Sequence, residues 1–200
     1  WLAGDAAGEY DGRFVLPMWR GTAPQGLEGR EAAVVERLSG GPVRVADAIR
    51  TRPEMPALMR LVSRGLVMIS GVTPSDASPV RGGRECGDAG AARTALALCA
   101  RRRNGGGDRI AAGPEELSRA IIDRLTAQTV DCLLEAAFAE DGRDWGEAPE
   151  LLARHALMRA GLDGYRGVLG IEARRGVPVI GLGASAPSYY GAVGDRLRAR

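Results

Sequence analysis

Two short stretches of this chain hold residue types that could act on a ligand. The first is Thr73, Pro74, Ser75 and Asp76. A carboxylate two residues after a proline turn can bind a cation, orient a water or cap the next helix. The hydroxyls of Thr73 and Ser75 can serve beside it or close the turn by bonding nearby amides. The second stretch is Gly181, Leu182, Gly183, Ala184 and Ser185, just ahead of Pro187. With so little side chain there, a ligand could come close to the backbone, and glycine reaches angles closed to other residues. Pro187 suits the first turn of a helix and Ser185 its cap, so free amides would face whatever lies above. Gly181, Gly183 and Ala186 also satisfy the dinucleotide fingerprint G-x-G-x-x-G/A, whose acidic partner about 20 residues on would fall beyond Arg200. A tight turn whose glycines serve packing alone is the third reading of the same residues.

Composition removes several other chemistries. All 27 basic residues are arginine, which excludes a P-loop lysine, Schiff-base chemistry and a lysine general base. His155 is the single histidine, so a multi-histidine metal site is excluded and any Ser-His-Asp triad would have to use it. Its setting, a helix-like run from 151 to 158, favours a structural or surface role. Cys86, Cys99 and Cys132 are odd in number, without a C-x-x-C pair, and read as reduced, mostly packed thiols. A net charge of +2 gives no global field for nucleic acid or an anionic membrane. No apolar run approaches bilayer length, and the first ten residues do not resemble a signal peptide, so a cytoplasmic protein without membrane contact is expected.

With 45% hydrophobic residues in 200, the chain can bury the core of one or two domains. Residues 1–27 read as an irregular lead-in with one short strand at Arg13 to Leu16. Residues 28–70 read as three short helices and a strand: Glu31 to Leu38, Val45 to Ile49, Pro56 to Arg64, then Leu66 to Ile69. That order is the order of a winged helix-turn-helix. It raises a DNA-binding or protein-interaction module as the alternative function, with Arg60 and Arg64 placed to reach phosphates. The third helix offers few groups for base readout, which makes nucleic acid an unlikely partner.

Beyond residue 70, an alanine-rich helix is expected over 88–101 and a glycine-rich flexible connector at Asn104 to Asp108. Pro114, Glu115 and Glu116 open a long helix to about 141, whose second half should be buried. Val168 to Ile171 and Val177 to Leu182 are predicted as neighbouring strands. The second is nearly continuous in apolar residues and so suits a strand covered on both faces of a mostly parallel sheet.

Two segments resemble one family. Leu66 to Ala77, with Thr73, Pro74, Ser75, Asp76 and Ala77 in that order, is similar to the strand and turn of hydantoinase/oxoprolinase proteins, relatives of the actin-like ATPases. Val179 to Val193 resembles the closing strand and glycine turn of the same family. Pro79 stands where those proteins carry a histidine, and their Asp-x-Gly-Gly-Thr phosphate loop has no counterpart here. The resemblance implies a helix-rich α/β fold. Residues 71–200 would form the later half of an actin-like ATPase core, and residues 28–70 a winged-helix-like module. It implies ATP and Mg2+ as cofactors, a five-membered cyclic amide such as a hydantoin or 5-oxoproline as substrate, and a second hydantoinase subunit as partner. Gly181, Gly183, Ala184 and Ser185 would lie against the adenosine, with Thr73 and Asp76 in the catalytic turn. The chain is then a segment of a longer protein, expected to be inactive alone.

Overall fold

The computed structural model describes residue 8 and residues 10–80, 88–183 and 186–198. Within them the chain is helix-rich, with one small antiparallel sheet. Strand β1 (Phe14–Pro17) lies at its centre, between β2 (Val43–Arg44) and β3 (Val67–Ile69). Val15 pairs with Val43 on one side and Ile69 on the other, and Leu16 faces Met68. The lead-in therefore supplies the middle strand of this unit. Val15 is fully buried between Val34, Val35 and Leu38 of the first helix, α1 (Gly29–Arg37) and its cap, and Leu58 and Leu61 of α3 (Glu54–Ser63). Trp19 and Leu27 close over the same core.

The short helix α2 (Val45–Ala48) lies between them and is pinned by charge. The guanidinium of Arg37 donates to Ala48 O at 2.6 Å and to Glu54 Oε1 at 2.7 Å. Glu54 Oε2 accepts from the amides of Arg50 at 2.7 Å and Thr51 at 3.1 Å. One buried carboxylate thus ties α1, the α2–α3 turn and the start of α3. The hydrogen bond from Arg37, with those from Arg50 and Thr51, lowers the Glu54 pKa to about 2.

After β3 the chain enters α4 (Pro74–Val80), then α5 (Ala89–Ala100) and α6 (Pro114–Glu140). Asp88 caps α5, its Oδ1 accepting from Gly90 N at 2.8 Å and Ala91 N at 3.1 Å. Pro114 and two carboxylates open α6 as the pattern predicts. The expected flexible connector is instead a closed turn. Asn104 Oδ1 accepts from Gly106 N and Asp108 N, and Arg103 bridges Arg109, because an asparagine side chain can stand in for a backbone turn. Val130 and Leu134 of α6 are buried, while Leu133 and Phe138 are only partly so. Cys132 on the same half is exposed rather than packed, and Cys99 is half-buried; Cys86 lies outside the described residues.

The last part corrects the strand expectations. Following α7 (Pro149–Arg154) and α8 (Ala156–Leu162), residues 168–171 make only an isolated bridge, Arg166 to Gly170. Residues 177–182 form no strand. Ile180 is 78% and Leu182 80% exposed, and only Val179 turns toward the core. The run has the right residues, but Pro178 lacks an amide hydrogen and no strand among the described residues lies beside it to satisfy the ladder. A mostly parallel sheet is accordingly absent from the described residues. The closing helix α9 (Ala186–Leu197) packs Val193 and Leu197 against Val130 and Leu134 of α6. His155 sits at the α7–α8 break, its Nδ1 accepting from Leu157 N at 3.2 Å, which is a capping role.

Candidate functional site

Thr73 and Asp76 meet directly. Asp76 Oδ2 accepts both from Thr73 N and from Thr73 Oγ1, each at 2.7 Å, while Asp76 N returns a bond to Thr73 O at 3.0 Å. With Pro74 at the first helical position, this is a reciprocal cap on α4: the carboxylate reaches back to the residue that precedes the helix. The turn follows β3 after Ser70, Gly71 and Val72. Its far side is fixed by Ser118, a fully buried residue of α6 whose Oγ donates to Ala77 O at 2.7 Å. Asp76 Oδ2 is spent on the cap. Oδ1 has no hydrogen-bond partner among the described residues and is the atom left for a cation or a water.

At the second stretch, Gly183 has φ +104 and open space where a side chain would begin. That is the left-handed region that favours glycine. Gly181 differs: a Cβ there would come within 2.5 Å of the Tyr190 ring, so α9 packs on its bare backbone. Ala184 and Ser185 lie outside the described residues. The expected ledge at the tip of an interior strand is replaced by an exposed turn ahead of a helix, with Gly183 still open.

The two stretches are not brought together. Ser118 holds α4, and Val130 and Leu134 hold α9, on the same helix. At about 1.5 Å per residue those anchor points lie roughly 18 to 24 Å apart along α6. Among the described residues, no group of three His, Cys, Asp or Glu side chains is placed to hold a metal ion. No described helix is long and apolar enough to cross a membrane.

Several polar groups are prominent, among them Glu31, Arg102, Arg174, Arg175 and Arg198, which the sequence did not single out. Arg60 Nε and Arg64 Nη1, the candidate phosphate contacts, both bond Glu31 of α1, at 2.7 and 3.0 Å. The bond from Arg60 is the main cause that lowers the Glu31 pKa. Arg102 lines a cavity of about 140 Å3 with Gly71, Val72 and Cys99, and its Nη2 is buried without a partner. Arg174, Arg175 and Arg198 line a cavity of about 470 Å3. In a chain with this many arginines, no spacing rule marks which of them converge.

No family model, curated protein or solved structure matches the chain.

Proposed function

We propose that the chain is a segment of an ATP-dependent hydrolase that opens five-membered cyclic amides of the hydantoin or 5-oxoproline kind. The observation carrying this reading is Gly183, left-handed and unobstructed at the turn before α9, in the segment that resembles the adenosine-contacting turn of hydantoinase/oxoprolinase proteins. Its main-chain atoms, free of any Cβ, are what a purine nucleoside could rest against. Support at the other stretch comes from the order Thr73, Pro74, Ser75, Asp76, Ala77 at the exit of β3. Asp76 Oδ1 remains available there for a water or a phosphate-borne cation.

The donor set fits Mg2+ only as an ion carried by phosphates. A single carboxylate oxygen is the protein share that such an ion commonly takes, its remaining ligands being water and phosphate. ATP, when bound, would supply activation of the ring amide by phosphoryl transfer, which leaves a carbonyl carbon open to water. The chain's own residues then have two separate tasks. Gly183 receives the nucleoside. Thr73 holds Asp76 through two hydrogen bonds, so that the carboxylate presents one oxygen in a fixed direction. With about 18 to 24 Å of α6 between their anchor points, the two turns act on different parts of the ligand set.

The winged-helix reading as a DNA contact has less support. Glu31 pairs with both Arg60 and Arg64 and so offsets one of their two charges, and the middle strand of the sheet comes from upstream of the three helices.

Equilibrium dialysis of the 200-residue chain with ATP and Mg2+ tests the proposal. Saturable binding displaced by adenosine, and lost in Gly183→Val with helix content retained, is the expected result. Absence of adenosine-sensitive binding refutes it.

A further inference from the structure

Two cavities share one wall of the segment between α8 and α9. The first, about 470 Å3, is lined by Arg174, Arg175, Gly176, Val177, Pro178 and Arg198. The second, about 570 Å3, shares residues 174–177 and adds an apolar floor of Leu134, Phe138, Trp145 and Met158, with the carboxylates of Asp141 and Glu172 also in its lining. Both volumes lie within the range of small-molecule sites.

Charge distinguishes the first cavity from a solvated loop. No carboxylate lines it. Arg198 Nη1 donates to Glu172 Oε1 at 2.9 Å, and Glu172 is shared with Arg166 at 3.1 Å. Arg174 and Arg175 have no ion pair among the described residues; the carboxylates of the adjoining cavity are Glu172, already bonded to Arg166 and Arg198, and Asp141, so on the side of the first cavity the two guanidinium groups face no carboxylate. The segment that carries them is tied at both ends: Ala173 N donates to Gly161 O at 2.9 Å, and Arg175 N to Leu197 O at 3.2 Å. Arg198 lies just past α9 at φ 49, the one non-glycine positive φ among the described residues, which turns its side chain back toward Glu172 and the cavity. Like charges held in a concavity focus a positive potential, and a guanidinium fork matches phosphate oxygens two at a time.

We propose that the two cavities together form a site for a phosphomonoester with an aromatic body, its phosphate between Arg174 and Arg175 and its ring in the cavity of Phe138 and Trp145. Two arginines without an ion pair match the charge of about −2 that a monoester phosphate carries at neutral pH. A carboxylate would leave one unmatched. Asp141 and Glu172 lie in the lining of the cavity assigned to the ring rather than of the one assigned to the phosphate. Trp145 is already set edge-on to Phe138 at 5.7 Å between ring centroids and covered on one face by Arg143 at 4.5 Å, which fixes its plane.

Calorimetric titration of the 200-residue chain with phenyl phosphate, phenol and inorganic phosphate decides the matter. Phenyl phosphate should bind saturably, inorganic phosphate should compete more weakly, and phenol should not bind. Adenosine should not displace phenyl phosphate, so the outcome is independent of the nucleoside contact at Gly183. The double variant Arg174→Gln/Arg175→Gln should lose at least about tenfold in affinity, the worth of one charge-assisted hydrogen bond. Trp145→Ala should weaken phenyl phosphate and leave inorganic phosphate unchanged. Absence of saturable binding at millimolar phenyl phosphate, or equal affinity in the double variant, overturns the assignment.

Discussion

Replacing Ser118 by alanine removes one oxygen from the middle of the contact between α4 and α6. Ser118 is fully buried, and its Oγ lies 2.7 Å from Ala77 O, one residue past the Asp76 that the candidate catalytic turn presents. Two opposing effects set the cost. Losing the bond and leaving a buried carbonyl short of a partner costs about 1–3 kcal/mol. Alanine is a better helix former than serine, which returns about 0.5 kcal/mol inside α6. The expected net loss is about 1–2 kcal/mol, read as a lower urea midpoint at unchanged slope. Ala120→Ser, at an exposed position on the same helix, measures the propensity effect alone and should cost about 0.5 kcal/mol. The loss should also be local. The amides of Asp76 and Ala77, which donate to Thr73 O, should exchange hydrogen faster in Ser118→Ala while those of α1 and α3 do not change. If Ser118→Ala is neutral or stabilising after the propensity correction, the hydroxyl does not anchor the turn to α6, and Asp76 is held by its bonds from Thr73 alone.

Two further outcomes follow from buried charge. The bonds from Arg37, Arg50 and Thr51 lower the Glu54 pKa from its ordinary value of 4.5 to about 2, so its contribution to stability is present above about pH 4.5 and is lost as pH falls toward 2. Glu54→Gln should melt lower than the native chain at neutral pH, and the two melting temperatures should converge as pH approaches 2; a constant gap across that range refutes the linkage. Arg102→Met keeps the side-chain stem, and with it the backbone bonds from Arg102 N to Cys99 O and from Ile110 N to Arg102 O. Because it removes a buried nitrogen without a partner, stability should hold or rise by about 1 kcal/mol in a urea titration. A loss beyond about 1 kcal/mol shows that the guanidinium is satisfied in solution.

What was legible in the sequence is what local chemistry decides. Asp88 and Pro114 mark the starts of α5 and α6 because caps and first-turn residues act within four positions of themselves. The three helices of 28–70 carry their own apolar spacing and stop signals. Strand pairing is another matter. Phe14 to Pro17 is short and proline-ended, yet it becomes the central strand because β2 and β3 both reach it across the chain. Residues 177–182 are far more strand-like in composition and make no ladder. Local pattern fixes how a segment would pair, not whether a partner lies beside it. The same division holds for the candidate sites. Thr73 and Asp76 are three residues apart, and a capping role for Asp76 was legible, but that it would bond Thr73 itself was not. The convergence of Arg174 and Arg175 with Arg198 depends on the returns at Gly161 and Leu197, which no spacing reveals.

Helix α6 is the element on which both proposals depend. Its first turns hold the Thr73 and Asp76 turn through Ser118, and its later turns form the floor under α9 and the aromatic cavity through Val130, Leu134 and Phe138. A rigid helix keeps the two ends at a set distance, so a molecule as small as phenyl phosphate bound at the arginine cavity does not touch Asp76. Any coupling between them must pass through bending or displacement of α6 itself, because the turn and the arginine cavity share no side chain. The chemistry assigned to Asp76 and the phosphate site assigned to Arg174 and Arg175 are therefore separable by mutation: substitutions more than about 10 Å apart with no shared partner are expected to add. Combining Ser118→Ala with Arg174→Gln/Arg175→Gln should give the sum of their separate effects on stability, while phenyl phosphate affinity follows the arginines alone.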